Sequence, residues 1–173
     1  MADERYPIGK FQFQPNNDQQ QRKQFIDQLA AMPRPLREAV EGLTERQLEM
    51  TYRAGGWSVR QVVHHLADSH LNAYVRFKLA MTEDQPTIKP YSEKLWAELI
   101  DAKSASVQTS LALIESIHNR LVIFLRSFSP HDFERTFVHP EHGIMNLDRL
   151  LQLYAWHGRH HTAHILSVRD QNK

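Results

Sequence analysis

The chain has 173 residues, 41% of them hydrophobic and 24% charged, which is an ordinary globular composition with enough length to bury a core unaided. Lys plus Arg number 21 against 20 Asp plus Glu, and a net charge of +1 offers nucleic acid or an anionic membrane little to hold. With no Cys there are no disulfides, thiolate ligands or cysteine nucleophiles, which fits a cytoplasmic setting. No apolar run approaches the ~18 residues of a membrane span, and Met1 to Lys10 lack the apolar core of a secretory signal.

Residues 1–17, with Pro7, Gly9 and Pro15, read as an arm rather than a helix. From Asp18 to about Gly42, Phe25, Leu29, Met32, Leu36 and Val40 recur at helical spacing, and Pro33 and Pro35 should kink or split that helix. Thr44 opens a short turn, and Ala54-Gly55-Gly56 breaks the chain. Ser58 with Gln61 forms a capping box that starts a second helix running to about Met81. A connection with Pro86 and Pro90 follows, then a helical piece over 93–99. A third long helix spans about Ser104 to Phe128 on an apolar stripe of Leu111, Ile114, Ile117, Leu121 and Leu125. Arg135 to His139 and Gly143 to Asn146 predict a hairpin, and a last helix runs from Leu147 to about Val168, capped by Asn146. Leu43-Thr44-x-x-Gln47-Leu48 is echoed by Phe128-Ser129-x-x-Asp132-Phe133, and each precedes a histidine-bearing helix. The expected architecture is an all-α four-helix bundle with short non-helical connections.

Histidine is the outlier: there are 11, and seven fall within residues 64–70 and 157–164. In the last helix His157 and His161 stand four apart, as do His160 and His164. At ~100° per residue, His161 lies near the middle of the apolar side and His157 beside it, while His160 is nearer the boundary. Two inward imidazoles one turn apart can grip one metal ion; as plain core residues each would need a partner of its own. The second helix offers a third ligand. His70 sits on its apolar face, His65 at the edge and His64 largely away, so phase leaves the choice open between His65 and His70, with Asp68 an outsider. Three imidazoles without a thiolate suit zinc, nickel, cobalt or iron, and three protein ligands leave a position open to water or substrate. His118, His131, His139 and His142 are scattered and read as surface or turn residues.

Four stretches carry a resemblance: Tyr6-Pro7-Ile8-Gly9, Tyr52 to His70, Arg76-Phe77-Lys78-Leu79, and Trp156 to His164. Over nearly its whole length the chain is similar to the YfiT-like proteins of the DinB-like superfamily of metal-binding four-helix bundles. That resemblance implies a single DinB-like domain over 1–173. It implies a triad with one histidine from the second helix, by position His65, and the pair His157 and His161. It further implies one divalent metal per subunit, zinc or nickel, a homodimer, a small-molecule substrate, and a metal-dependent hydrolase with an open water position. The wider superfamily includes transferases for low-molecular-weight thiols such as bacillithiol, so thiol transfer is the alternative, with Arg60, Arg76 or Arg159 as holders of the thiol's acidic groups. A non-catalytic metal-binding stress protein is a further alternative. Asp68, one turn from His65, is the candidate general base. The apolar arm of Tyr6, Ile8, Phe11 and Phe13 is expected to bury against a partner or its own bundle.

Overall fold

The computed structural model describes residues 3–170. The first helical stretch is split where proline demands it. Helix α1 (Gln19–Ala31) starts from a reciprocal Asp18–Gln21 capping box, and α2 (Pro33–Val40) restarts at once with Pro33 in its first turn, where the missing N–H costs nothing. A one-turn helix α3 (Glu45–Leu48) carries the Thr44–Gln47 capping box, and the Ser58–Gln61 box opens α4 (Val59–Thr82). Two short helices, α5 (Glu93–Trp96) and α6 (Ile100–Ser104), lead to α7 (Val107–Arg126). The long helix therefore starts after Ser106 rather than at Ser104. Ser104 ends α6, and an extended Ala105 breaks the run before Ser106 caps α7. A 3-10 turn (Asp132–Glu134) precedes strands β1 (Thr136–His139) and β2 (Gly143–Asn146), which pair antiparallel with Thr136 opposite Asn146. The Asn146 side chain then accepts from the Arg149 N–H at 2.9 Å in the first turn of α8 (Leu147–Asp170).

Four helices make the bundle. Helix α4 packs against α7 and α8, and α1 packs against the same two, so α1 and α4 are diagonal partners. The hairpin closes one end and is anchored by the proline connection: the Ile88 N–H donates to Val138 O at 3.0 Å and the Val138 N–H to Pro86 O at 2.9 Å. The arm lies along α8 of its own bundle. Gln14 and Gln152 exchange two hydrogen bonds of 2.9 Å, the Trp156 indole donates to Gly9 O at 3.3 Å, and Phe11 packs on Trp156. Buried Asp148 ties the arm, α1 and α8 together, accepting from Asn17 at 3.0 Å, Arg22 at 2.9 Å and Gln152 at 3.1 Å.

The core comes in two apolar clusters. One joins Ile26 and Leu29, Ala73 and Phe77, Leu121 and Leu125, and Leu147 to Ala155, with Phe137 and Met145 of the hairpin. The other joins Met32 to Val40, Val59 to Ala67, Val107 to Ile114, and Ile165 with Val168. The break between them falls at the same level on α4, α7 and α8, and there the sequence places His70, His118 and His157 to His164. A layer of imidazoles thus crosses the middle of the bundle. Among the described residues no helix is long and apolar enough to cross a membrane.

Candidate metal centre

The Ser58 cap fixes where α4 begins, and His65 follows on the stretch that faces α8. His157 and His161, one turn apart on α8, face it across the seam. The ring centroids lie 5.2 Å apart for His65 and His157, 4.8 Å for His65 and His161, and 4.6 Å for His157 and His161. One nitrogen from each ring lies within 4.8 Å of the other two. The Nε2 atoms of His65 and His157 are 3.2 Å apart. Two nitrogens ~2.0–2.1 Å from one zinc ion, at a tetrahedral angle, stand roughly 3.3 Å apart, so this pair could hold such an ion with little rearrangement.

Electrostatics favours ligation. Burial holds the His65 imidazole down to about 4, and burial, reinforced by the neighbouring imidazoles, pushes His157 and His161 well below the ordinary value of 6.5. All three rings are therefore neutral donors at pH 7, as a metal requires. Trp57 closes over the group, its ring 4.6 Å from that of His65 and 6.4 Å from that of His161.

Two further trios bring ring nitrogens or carboxylate oxygens within 4.8 Å of one another among the described residues. His160, His161 and His164 share His161 with the first group. Their rings are committed to stacking, His160 on Trp156 at 4.3 Å and His164 on Tyr52 at 4.0 Å, and His164 Nδ1 lies 3.4 Å from His161 Nδ1. The hairpin trio, His139, Glu141 and His142, has its Nδ1 of His139 occupied by the Glu141 N–H at 3.2 Å.

Cavities flank the three-histidine group on both sides. One of about 460 Å³ is bordered by Ser69, Arg76, Tyr91, Tyr154 and His157; the other, about 790 Å³, by Tyr6, Tyr52, Trp57, His160 and His161. Glu93 and Lys94 of α5 line both. In the smaller cavity Ser69 donates to the Tyr154 hydroxyl at 3.3 Å and Arg76 does so at 3.4 Å. Burial keeps the Tyr154 phenol protonated beyond its usual range.

Several sequence expectations need correction. His118 and His139 are buried, not surface residues: His118 is wedged between α1 and α4, and His139 ends β1 stacked on His142 at 4.4 Å. The His118 signal was present, since it stands four residues after Ile114 and three before Leu121 on the apolar stripe. His64 also turns inward, accepting from the Ser110 hydroxyl at 2.7 Å and donating to Ala105 O at 3.2 Å. Arg60 is spent on structure: it is buried and bonds Glu45, Glu49 and Ala105 O. Arg159 donates to Ala155 O of its own helix, which leaves Arg76 as the arginine of the three that borders a cavity beside the histidines. Asp68 is half-buried and its carboxyl is raised to about 6 by burial and by Asp101, but it belongs to none of the trios.

Comparison with known proteins agrees with the architecture. The family model of the DinB superfamily matches residues 28–165. A protein of Bacillus mycoides named "Putative metal-dependent hydrolase" is 51% identical over 171 residues, covering 99% of this chain and 98% of its own. One of Oceanobacillus iheyensis with the same description is 51% identical over 165 residues, 95% of each chain. The solved structure of YfiT from Bacillus subtilis, described as "a probable metal-dependent hydrolase with an unusual four-helix bundle topology", superposes with a TM-score of 0.96 at 45% identity and covers 99% of this chain and 98% of that one. The chain belongs to the DinB superfamily.

Proposed function

We propose that this member of the DinB superfamily is a metal-dependent hydrolase of a small molecule, with one divalent ion, zinc or nickel, held by His65, His157 and His161. The observation that carries the reading is the convergence of three neutral imidazoles from two helices, His65 and His161 buried and His157 partly so, with two of their nitrogens 3.2 Å apart. Three protein ligands leave room for a further one, the arrangement of catalytic rather than closed structural sites. Bound there, the ion would supply Lewis acidity, polarising a scissile bond and bringing the pKa of a water toward neutrality. The chain's own groups serve the substrate. Arg76 and the Tyr154 hydroxyl provide donors on the wall beside His157, and Phe137, Met145 and Leu150 provide an apolar floor. Trp57 packs against His65 and borders the larger cavity on the other side. The two apolar clusters joined through the imidazole layer support reading 1–173 as one domain.

Thiol S-transfer is the second reading, and one observation favours it: Arg76 and Lys94 line the cavity that also contains His157, where they would hold the acidic groups of a thiol such as bacillithiol. A non-catalytic metal-binding role is the third. The names of the relatives support taking hydrolysis as the first reading. We also infer a homodimer; the arm is spent on its own bundle, so exposed Leu95, Leu99 and Ile100 are the better candidates for the contact.

Metal content after purification, and turnover of short electrophilic esters and amides with and without bacillithiol, test the reading. Metal near one per chain with turnover in water alone supports the hydrolase. Turnover only with the thiol supports the transferase, and metal without either supports the binding protein.

A further inference from the structure

Behind His157 the imidazole layer continues as a hydrogen-bonded file. His157 Nδ1 lies 3.3 Å from His70 Nε2, His70 Nδ1 lies 2.8 Å from His118 Nε2, and His118 Nδ1 lies 2.6 Å from the backbone oxygen of Leu29. His70 and His118 are 0% and 1% exposed, so no solvent competes for these contacts. The rings of His70 and His118 stack 4.8 Å apart.

The file has only one consistent direction. A carbonyl oxygen can only accept, so His118 Nδ1 must carry a proton and donate to Leu29. A neutral imidazole has one donor and one acceptor, so His118 Nε2 accepts and His70 Nδ1 must donate to it. By the same rule His70 Nε2 accepts and His157 Nδ1 donates. The lone pair of His157 is then on Nε2, the nitrogen that faces His65. We propose that His70 and His118 are positioning residues that transmit the polarity of the Leu29 carbonyl through the bundle and lock His157 in the tautomer able to bind a metal through Nε2. This rests on the three-histidine reading of the centre. Geometry supports it, because both rings of the file are buried and each of their nitrogens has a partner within 3.3 Å.

The arrangement gives a role to a fully buried polar pair set between the two apolar clusters. A leucine at position 118 would fill similar space without the cost of desolvating an imidazole. Ligand orientation by an outer hydrogen-bond partner commonly changes metal affinity 10–100-fold when removed. Here the partner is a two-imidazole file ending on the main chain of α1, which the sequence separates from α8 by more than a hundred residues.

Nitrogen NMR of the histidine rings in the metal-free wild-type protein tests the proposal directly and needs no variant. His157 is expected as the Nδ1–H tautomer, and His157 found as Nε2–H overturns the proposal. Zinc affinity, measured by competition with a chromophoric chelator, gives the second readout. His118→Leu is expected to weaken zinc 10–100-fold. His118→Gln keeps one acceptor and one donor and is expected to stay within about threefold of wild type. Equal loss in both variants, or no loss in His118→Leu, would reduce His118 to a packing residue. His161→Ala separates the two readings: if it retains zinc, the three-histidine centre itself fails, whereas its zinc loss beside an unaffected His118→Leu sinks the file alone.

Discussion

His65 Nε2 and His157 Nε2 stand 3.2 Å apart across the seam between α4 and α8. Two lone pairs at that separation repel, so without a metal one of these nitrogens carries its ring's N–H and donates to the other. Burial disfavours the protonated imidazole at His65 and His157, so both rings are neutral at pH 7, the form that binding one ion between them would require.

Single alanine substitutions of His65, His157 and His161 should therefore each cut bound metal sharply, read as metal content of the purified protein. His142→Ala, at an exposed position on the hairpin, should leave it unchanged. His164 stacks on Tyr52 and lies behind His161, so its loss should weaken binding less than loss of His161. Metal kept in His161→Ala but lost in His164→Ala would overturn the assignment and point to the His160 and His164 pair instead.

Acid should destabilise the metal-free fold in a defined window. Burial lowers the His65 pKa from 6.5 to about 4, so between those values the unfolded chain binds a proton that the folded chain refuses. Stability from this group is complete above about 6.5 and is lost as pH falls toward 4, roughly 3 kcal/mol at ~1.4 kcal/mol per pK unit. His70, His157 and His161 act with the same sign. Asp68, raised to about 6, acts oppositely below that pH, but it is only half-buried and offsets part of the loss. Urea unfolding from pH 7 to 4.5 should show stability falling throughout, and a flat profile would mean the layer is not held neutral. For the same reason metal affinity should stay nearly constant from pH 7 to 5 and fall below that, although free histidines titrating near 6.5 would place the loss higher.

Asp148→Ala should cost about 3 kcal/mol of stability by denaturant titration. The carboxylate accepts three hydrogen bonds in a buried setting, and removing it leaves the largely covered Arg22 guanidinium unpaired. The Gln14–Gln152 contacts should loosen with it, so limited proteolysis of the arm should accelerate.

Gly158→Val should destabilise by about 2 kcal/mol although glycine is a poor helix former. A Cβ there would sit 2.7 Å from Met32 Cγ and 2.9 Å from its Cε, where α8 meets the junction of α1 and α2. Overpacking of a closed core commonly costs 1–3 kcal/mol, more than the propensity gain. Restored stability in the double variant with Met32→Ala would identify that contact as the cause.

Local rules determined much of this protein directly from its sequence. The turn at Thr44, the capping box at Ser58, proline at position 33 and the tight connection from His139 to Gly143 act within a few residues, so the start of α4, the α1–α2 break and the hairpin were legible. The inward phase of His157 and His161 was legible too, because both share one helix and its 3.6-residue period is fixed. Phase, however, gives only an angle about a helix's own axis and says nothing of what lies across from it. His65 and His70 point to different neighbours, and only the packing of α4 between α7 and α8 puts His65 opposite His157 and His70 between His118 and His157. His118 looked like a stray polar residue for the same reason. Its partners, His70 and the Leu29 carbonyl, lie 48 and 89 residues away, and the burial that keeps these rings neutral exists only once the four helices have closed around them.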